Sequence, residues 1–162
     1  KPELSGYPCI YQDFESDVYE SLVAANSHLS RYRRLIFIHP GGKEPQERVV
    51  GFRRFCQDHQ VENKVVRSLS EVNPSLYDVF LVPSDRTLVE LVKLAWEYEF
   101  EIGRKFGIIS FNDSMLKEVV AGGITTISTD FHRMGELLSS MITERKPLQL
   151  KNRSSLILRN SL

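Results

Sequence analysis

Polar side chains follow three short apolar runs of this 162-residue chain, in positions where they could act on one ligand. The three segments are residues 39–43, 83–86 and 110–113. Carboxylates and carboxamides exchange hydrogen bonds with paired hydroxyl groups, and a guanidinium chelates such groups with two N–H donors. An aromatic ring such as Phe111 can stack on the apolar face of a pyranose. These residue types therefore favour the binding of a polyhydroxylated molecule such as a sugar.

The same residues also have ordinary structural interpretations. Ser84 or Asp85 could cap a following helix, because a side-chain oxygen there accepts from a free backbone N–H. Asn112 and Asp113 could form an Asx turn. Capping and ligand binding are compatible, so both interpretations stay open.

Motifs of catalysis and metal binding are absent from the sequence. It contains no nucleophile elbow, no glycine pattern of a dinucleotide site, no His-Glu-x-x-His and no Cys-x-x-Cys. The four histidines lack ligand spacing. We therefore expect a binding protein that uses neither a cofactor nor a metal.

Two alternatives come from other classes of protein. A small α/β sugar-processing enzyme would use Asp85, Asn112 or Asp113 in catalysis. A receiver-like signalling domain would need a phosphoacceptor aspartate at the end of a strand, whereas Asp78 precedes its apolar run. Both alternatives are less favoured than ligand binding.

Charge and hydropathy limit the partners of the chain. Lys plus Arg and Asp plus Glu each number 21, so the formal net charge is zero and direct contact with DNA is not expected. No apolar run reaches the roughly 18 residues of a membrane span, and the first residues do not resemble a signal peptide. The expected location is the cytoplasm.

Apolar runs alternate with amphipathic stripes along most of the chain. Strands are predicted near residues 9–11, 35–38, 65–66, 79–82, 108–109 and 124–127, and after them at 148–150 and 155–158. Helices are predicted near residues 18–29, 49–56, 88–96 and 134–141. Continuous apolar runs are typical of strands covered on both faces. The pattern predicts a three-layer α/β/α sandwich with a mainly parallel sheet, and ligands bind at the carboxyl ends of such strands.

Four segments, in order along the chain, resemble the effector domain of LacI/GalR-type regulators. They are the R-x-x-G-F pattern that starts at Arg48, then residues 82–85, 107–113 and 124–135. The resemblance extends from about residue 10 to the C-terminus and implies a periplasmic-binding-protein-like lobe. In detail the sequence is similar to sugar regulators with a GntR-type winged helix, such as those of fucose operons.

The resemblance assigns roles to individual residues. It implies that Arg48 binds effector hydroxyls, although the charges around it suggest a solvated helix face. It also implies effector contacts for Ser84, Asp85, Asn112 and Thr129. Phe111 and Asp113 are secondary candidates.

Three positions depart from the family pattern. Ser84 stands where Asn is usual, Asn112 where Asp is usual, and Ser110 where Gly is usual. These departures concern the identity of the ligand more than its binding.

The resemblance also implies that this chain is the C-terminal lobe of a larger domain. Residues 1–12 would then form a crossover and first strand, residues 129–146 a crossover helix, and residues 147–162 the C-terminal strands. The apolar face of that helix, with Phe131, Met134, Leu138 and Met141, is expected to pack on the chain itself or on a second copy. The implied partners are a sugar effector, a second copy in a homodimer, and DNA through a separate N-terminal domain, with no membrane contact.

Overall fold

The computed structural model describes residues 8–144 and 149–162. The proposed linker at residues 1–6 and the predicted start of a strand at residue 148 lie outside this part of the chain. The strands are β1 (Cys9–Tyr11), β2 (Arg34–Ile38), β3 (Glu62–Val66), β4 (Asp78–Val82), β5 (Gly107–Phe111), β6 (Thr125–Thr129), β7 (Gln149–Lys151) and β8 (Ser154–Ile157). The helices are α1 (Phe14–Ala24), α2 (Asn26–Leu29), α3 (Glu47–Asp58), α4 (Asp85–Glu97), α5 (Met115–Val119) and α6 (Phe131–Thr143).

Six strands form the main sheet in the order β3-β2-β4-β5-β6-β8. The first five are parallel, and β8 runs antiparallel to β6. Strands β1 and β7 pair in parallel as a separate two-stranded sheet. The predicted α/β class with a mainly parallel sheet is confirmed.

Both faces of the main sheet are covered, as the continuous apolar runs predict. Along β2, Leu35 and Phe37 belong to one buried cluster and Ile36 belongs to the other. The first cluster includes α1 and α3, and the second includes α4. Side chains alternate between the two faces of a strand, so a strand between two helical layers has no polar face. The structure is therefore a three-layer sandwich.

The first helical stripe divides into two helices. Helix α1 begins at Phe14, where the Asp13 side chain accepts a hydrogen bond from the backbone N–H of Ser16 at 3.1 Å. The chain then passes through Ala25 into the four-residue α2. An aspartate that precedes a helix satisfies a free N–H, which explains why α1 begins at Phe14, four residues before Val18 and the predicted apolar stripe.

Helix α6 presents an apolar face that the rest of the described chain leaves partly exposed. Met141 is buried, but 57% of Phe131, 46% of Leu138 and 69% of Ile142 is exposed. Met141 therefore packs on the chain itself, whereas Phe131 and Leu138 are left for the other expected possibility. Packing on a second copy stays a prediction.

No helix within residues 8–144 and 149–162 has the length and apolar character that crossing a membrane requires.

Candidate functional site

A small hollow of about 10 Å³ opens where β5 and β6 end. Four of the candidate residues line it: Arg48, Phe111, Asn112 and Thr129. The remaining lining residues are Phe14, Asp17, Val18, Ile127 and Ser154. Residues from two helices, two strands and the start of β8 thus meet at the edge of the sheet where the α/β topology predicts a ligand.

The guanidinium of Arg48 is held inside this hollow. Its central carbon lies 4.4 Å from the ring centroid of Phe111 and 5.2 Å from that of Phe14. Its Nη1 donates to Oε2 of Glu44 at 2.8 Å, and only 12% of the side chain is exposed. Burial lowers the pKa of Arg48 below its ordinary value, but arginine stays protonated at neutral pH. The solvated surface position that the helix pattern suggests is therefore wrong.

Asp17 is an acid of the hollow that the sequence patterns did not indicate. It is 3% exposed and accepts hydrogen bonds from the backbone N–H of Ser154 at 3.2 Å and from its hydroxyl at 3.1 Å. The Ser154 hydroxyl also lies 3.0 Å from the Thr129 hydroxyl, which accepts from Gln12. Burial raises the pKa of Asp17, while the hydrogen bonds from Ser154 oppose that shift. A chain of polar groups therefore joins α1, β6 and β8 beside Arg48.

Ser84 and Asp85 lie outside the hollow. The Ser84 hydroxyl accepts from the backbone N–H of Thr87 at 3.3 Å, so the capping interpretation is confirmed for this residue. Asp85 places Oδ1 2.9 Å from Nζ of Lys117. Both residues are exposed and follow β4, one strand further from the hollow than β5.

Lys117 connects these loops, and the sequence patterns did not indicate it. It is 3% exposed although it carries a charge. Its Nζ donates to the carbonyl oxygens of Phe111 at 2.8 Å and of Asn112 at 2.6 Å. Asn112 has φ of 60°, in the left-handed region that asparagine tolerates better than most residues. Lys117 thus fixes the turn that carries Asn112 to the hollow.

Asp113 forms a bidentate ion pair instead of lining the hollow. Its oxygens accept from Nη1 and Nη2 of Arg159 at 2.7 and 2.8 Å, and Oδ1 also accepts from the Thr126 hydroxyl at 3.1 Å. The hydrogen bonds from Arg159 are the largest cause that holds the pKa of Asp113 below its ordinary value. Asp113 therefore ties the turn after β5 to the C-terminal segment.

Acid should weaken this ion pair and with it the fold. A carboxyl group whose pKa is lowered by folding stabilises the folded state above its unfolded pKa of about 3.9, and that contribution is lost as the pH falls through the folded pKa. We expect Asp113→Asn to lower the free energy of unfolding by about 2 kcal/mol near neutral pH, and by progressively less below about pH 4. Urea unfolding of both proteins across this range measures the difference. A difference that stays constant into acid would contradict the assignment.

The loop at residues 39–43 borders a different groove. That groove has a volume of about 640 Å³, and His39, Gly42, Arg53 and Arg67 are among its lining residues. Arg48 does not line it. Residues 39–43 therefore do not join the hollow.

Within residues 8–144 and 149–162, no group of three or more His, Cys, Asp or Glu residues is arranged to hold a metal ion.

Comparison with known proteins places the chain in a family. The family described as periplasmic binding protein-like domain matches residues 27–161. The chain belongs to this family. No curated protein sequence matches the chain significantly.

Solved structures share the fold of this periplasmic binding protein-like domain. A transcription regulator like protein from Staphylococcus haemolyticus is 21% identical, with a TM-score of 0.73, over 94% of this chain and 60% of its own. A sugar-binding transcriptional regulator of the LacI family from Escherichia coli, complexed with phosphate, is 12% identical, with a TM-score of 0.73, over 94% and 62%. The transcriptional regulator CelR in complex with cellobiose is 16% identical, with a TM-score of 0.72, over 98% and 55%.

The domain thus spans about three fifths of the length of these structures. At such low identity the likeness shows the fold alone. The structural neighbours of this domain are transcription regulators, among them sugar-binding members of the LacI family.

Proposed function

We propose that the chain is the effector-sensing lobe of a bacterial transcriptional regulator, and that it binds a sugar or a related small polar molecule without turning it over. The observation that carries this proposal is the buried guanidinium of Arg48, which faces the hollow beside Asn112 and Thr129. A guanidinium fixed between rings presents its remaining N–H groups at a low entropic cost. The cellobiose complex of one structural neighbour supports a sugar as the ligand class.

Five residues of the hollow have a role in this proposal. Arg48 donates to ligand hydroxyls, the Asn112 amide can donate and accept, and Thr129 offers a hydroxyl. Phe111 and Phe14 hold the guanidinium and exclude water from one side of it. Ser84 and Asp85 lie at the exposed start of α4 on the same edge, where they can contact only a larger ligand.

A second lobe would complete this site. The hollow has a volume of about 10 Å³, far smaller than ligand pockets, which typically hold about 300–1,000 Å³. The exposed face of α6 and the two-stranded sheet of β1 and β7 offer surfaces on which another lobe could pack. We therefore assign the chain to the C-terminal lobe, with residues 129–146 as the crossover.

The finer assignments extend the same proposal. Ligand would close the two lobes, shift the population of dimer geometries and alter DNA binding by an N-terminal winged helix of the GntR type. The regulator would act in the cytoplasm as a homodimer. Fucose is the sugar that the sequence resemblance suggests first.

The acids that a sugar-processing enzyme would need are engaged elsewhere. Asp85 pairs with Lys117 and Asp113 with Arg159, and neither carboxylate lines the hollow. Asp78, the candidate acid of a receiver domain, is buried at the start of β4 and pairs with Arg34 at 2.6 Å. These contacts support binding over the two alternatives.

Loss of the Arg48 guanidinium should abolish ligand binding. We expect one sugar in a panel of monosaccharides, cellobiose and sugar phosphates to raise the melting temperature of the intact regulator, because a ligand at 100 times its Kd stabilises by about 2.7 kcal/mol. Arg48→Ala should remove that rise. Arg48→Lys should weaken it strongly, since lysine keeps the charge but lacks the planar fork of donors. A thermal-shift assay measures all three proteins.

Arg53→Ala is the matched control for this experiment. Arg53 lies on the same helix, is exposed, and lines the other groove. It should keep the full ligand-induced rise. If no sugar raises the melting temperature, or if Arg48→Ala responds as the parent does, the proposed site is wrong.

A further inference from the structure

The cation that lines the hollow does not carry a free positive charge. Arg48 is the single cation among its described lining residues, and Glu44 occupies one of its N–H groups at 2.8 Å. Asp17 lines the same hollow and also acts electrostatically on Arg48. Whether Asp17 is ionised or protonated, these three side chains carry a net charge of minus one or zero.

Three further cations contact residues next to this lining, and each of them is paired with a carboxylate. Lys117, below the Asn112 turn, pairs with Asp85. Lys151, whose charge acts on Asp17, donates to Asp13 at 2.9 Å. Arg159 holds Asp113, the residue after Asn112. Each of these cations has a carboxylate partner in the part of the chain that the structure describes.

A hydroxyl group suits this arrangement better than an anion does. A hydroxyl can accept from the Arg48 guanidinium and donate to the Glu44 carboxylate, whereas a phosphate oxygen that is ionised can only accept. Glu44 does not line the hollow, but its side chain is 28% exposed and its Oε2 lies 2.8 Å from Nη1 of Arg48, so a group bound at that nitrogen would lie close to it. A ligand phosphate at Arg48 would lie close to the Glu44 carboxylate and be repelled by it.

We infer that the ligand group which this hollow takes is an uncharged polyol, and that Glu44 is the residue that rejects phosphorylated and carboxylated sugars. The inference rests on the proposed function and names the ligand class of the same site. A unit charge about 4 Å from another changes affinity by at least about fivefold even in bulk water, and more in a partly buried site. Arg48 attracts the same phosphate and Glu44 opposes that attraction, so the presence of Glu44 should weaken the binding of a doubly charged phosphate by about tenfold or more.

Matched pairs of sugars test this specificity on the intact regulator. We would measure by calorimetry the Kd of each neutral sugar that binds and of its 1-phosphate and 6-phosphate. The neutral sugar should bind more tightly than either phosphate, and removing the Glu44 charge should tighten the binding of each phosphate by about tenfold or more. Glu44→Gln should remove most of this difference, and Glu47→Gln, an exposed neighbour on α3, should leave it unchanged.

Inorganic phosphate tests the hollow by itself. Followed at the Arg48 Nε–H resonance of this chain, phosphate should bind saturably to Glu44→Gln but not to the parent or to Glu47→Gln. The inference is overturned if a sugar phosphate binds as tightly as its neutral sugar, if phosphate saturates the parent at Arg48, or if Glu44→Gln changes neither measurement. If neither neutral nor phosphorylated sugars bind the intact regulator, the proposed function fails and the inference fails with it.

Discussion

Replacing Gly51 by alanine is expected to lower the free energy of unfolding by about 3 kcal/mol, because helices α1 and α3 meet at this residue. A Cβ built at Gly51 would lie 2.1 Å from the backbone oxygen of Glu15 and 3.0 Å from its carbonyl carbon. The backbone of α1 cannot yield as a flexible side chain does, since the Asp13 cap fixes the start of that helix. The two helices must therefore separate.

The separation should also damage the proposed ligand site. Phe14 lies on α1 and Arg48 on α3, each within one turn of the contact between Glu15 and Gly51. Moving the helices apart takes the Phe14 ring away from the guanidinium. We expect the folded variant to bind the ligand no longer, so the ligand should not raise its melting temperature.

Gly135→Ala is the control for the Gly51 variant, and its effect should have the opposite sign. Gly135 lies in α6, and a Cβ added there would have no neighbouring atom within 4 Å, so alanine should stabilise by up to about 1 kcal/mol through helix propensity. Urea unfolding of the parent and both variants gives the three free energies. Equal stability of the Gly51 variant and the parent would show that α1 and α3 do not pack as described.

The sheet could be predicted from the sequence because strands buried on both faces consist of continuous, mainly apolar runs. All residues of β4, β5 and β6 are buried, and the runs at residues 79–82, 108–109 and 124–127 predict these three strands. The sequence predicts the edge strand β3 only at Val65 and Val66, because its first three residues, Glu62, Asn63 and Lys64, are polar and exposed. A strand with one free edge and an exposed face lacks the pattern on which the prediction depends.

The candidate site could be predicted only in part. Strand-end loops indicate Phe111 and Asn112, the family resemblance adds Arg48 and Thr129, and the structure brings all four together. Ser84 and Asp85 were expected with them because they also follow a strand. Their strand, β4, is separated from β6 by β5, so they end beside the hollow and not in it.

Asp17 could not be found in this way, because its partner is distant in sequence. It meets Ser154 across 137 positions, and the contact exists only because β8 lies beside β6 with α1 packed against it. One local signal was present. Asp17 and Ser21 stand one turn apart beside the apolar stripe of α1, and both are buried. A polar pair at that spacing next to a core face indicates a buried polar contact.

Lys117→Met is expected to lower the free energy of unfolding by about 3 kcal/mol, with methionine chosen to preserve the length of the side chain. The ammonium satisfies the carbonyl oxygens of Phe111 and Asn112 from a site that is 3% exposed. Methionine donates to neither oxygen, so both acceptors lose a charged donor. The left-handed backbone at Asn112 remains unfavourable, and nothing from residue 117 then offsets it. The turn should relax, and Asn112 should leave the hollow.

Two further variants separate this role from the ion pair with Asp85. The Asp85 side chain is 63% exposed, so solvent screens its attraction to Lys117, and Asp85→Asn should cost less than about 1 kcal/mol. Lys93→Met, at an exposed position of α4, should change stability by no more than about 0.5 kcal/mol. If Asp85→Asn were as costly as Lys117→Met, the ion pair and not the two carbonyls would hold the turn. In that case Asp85 would be the residue on which the position of Asn112 depends.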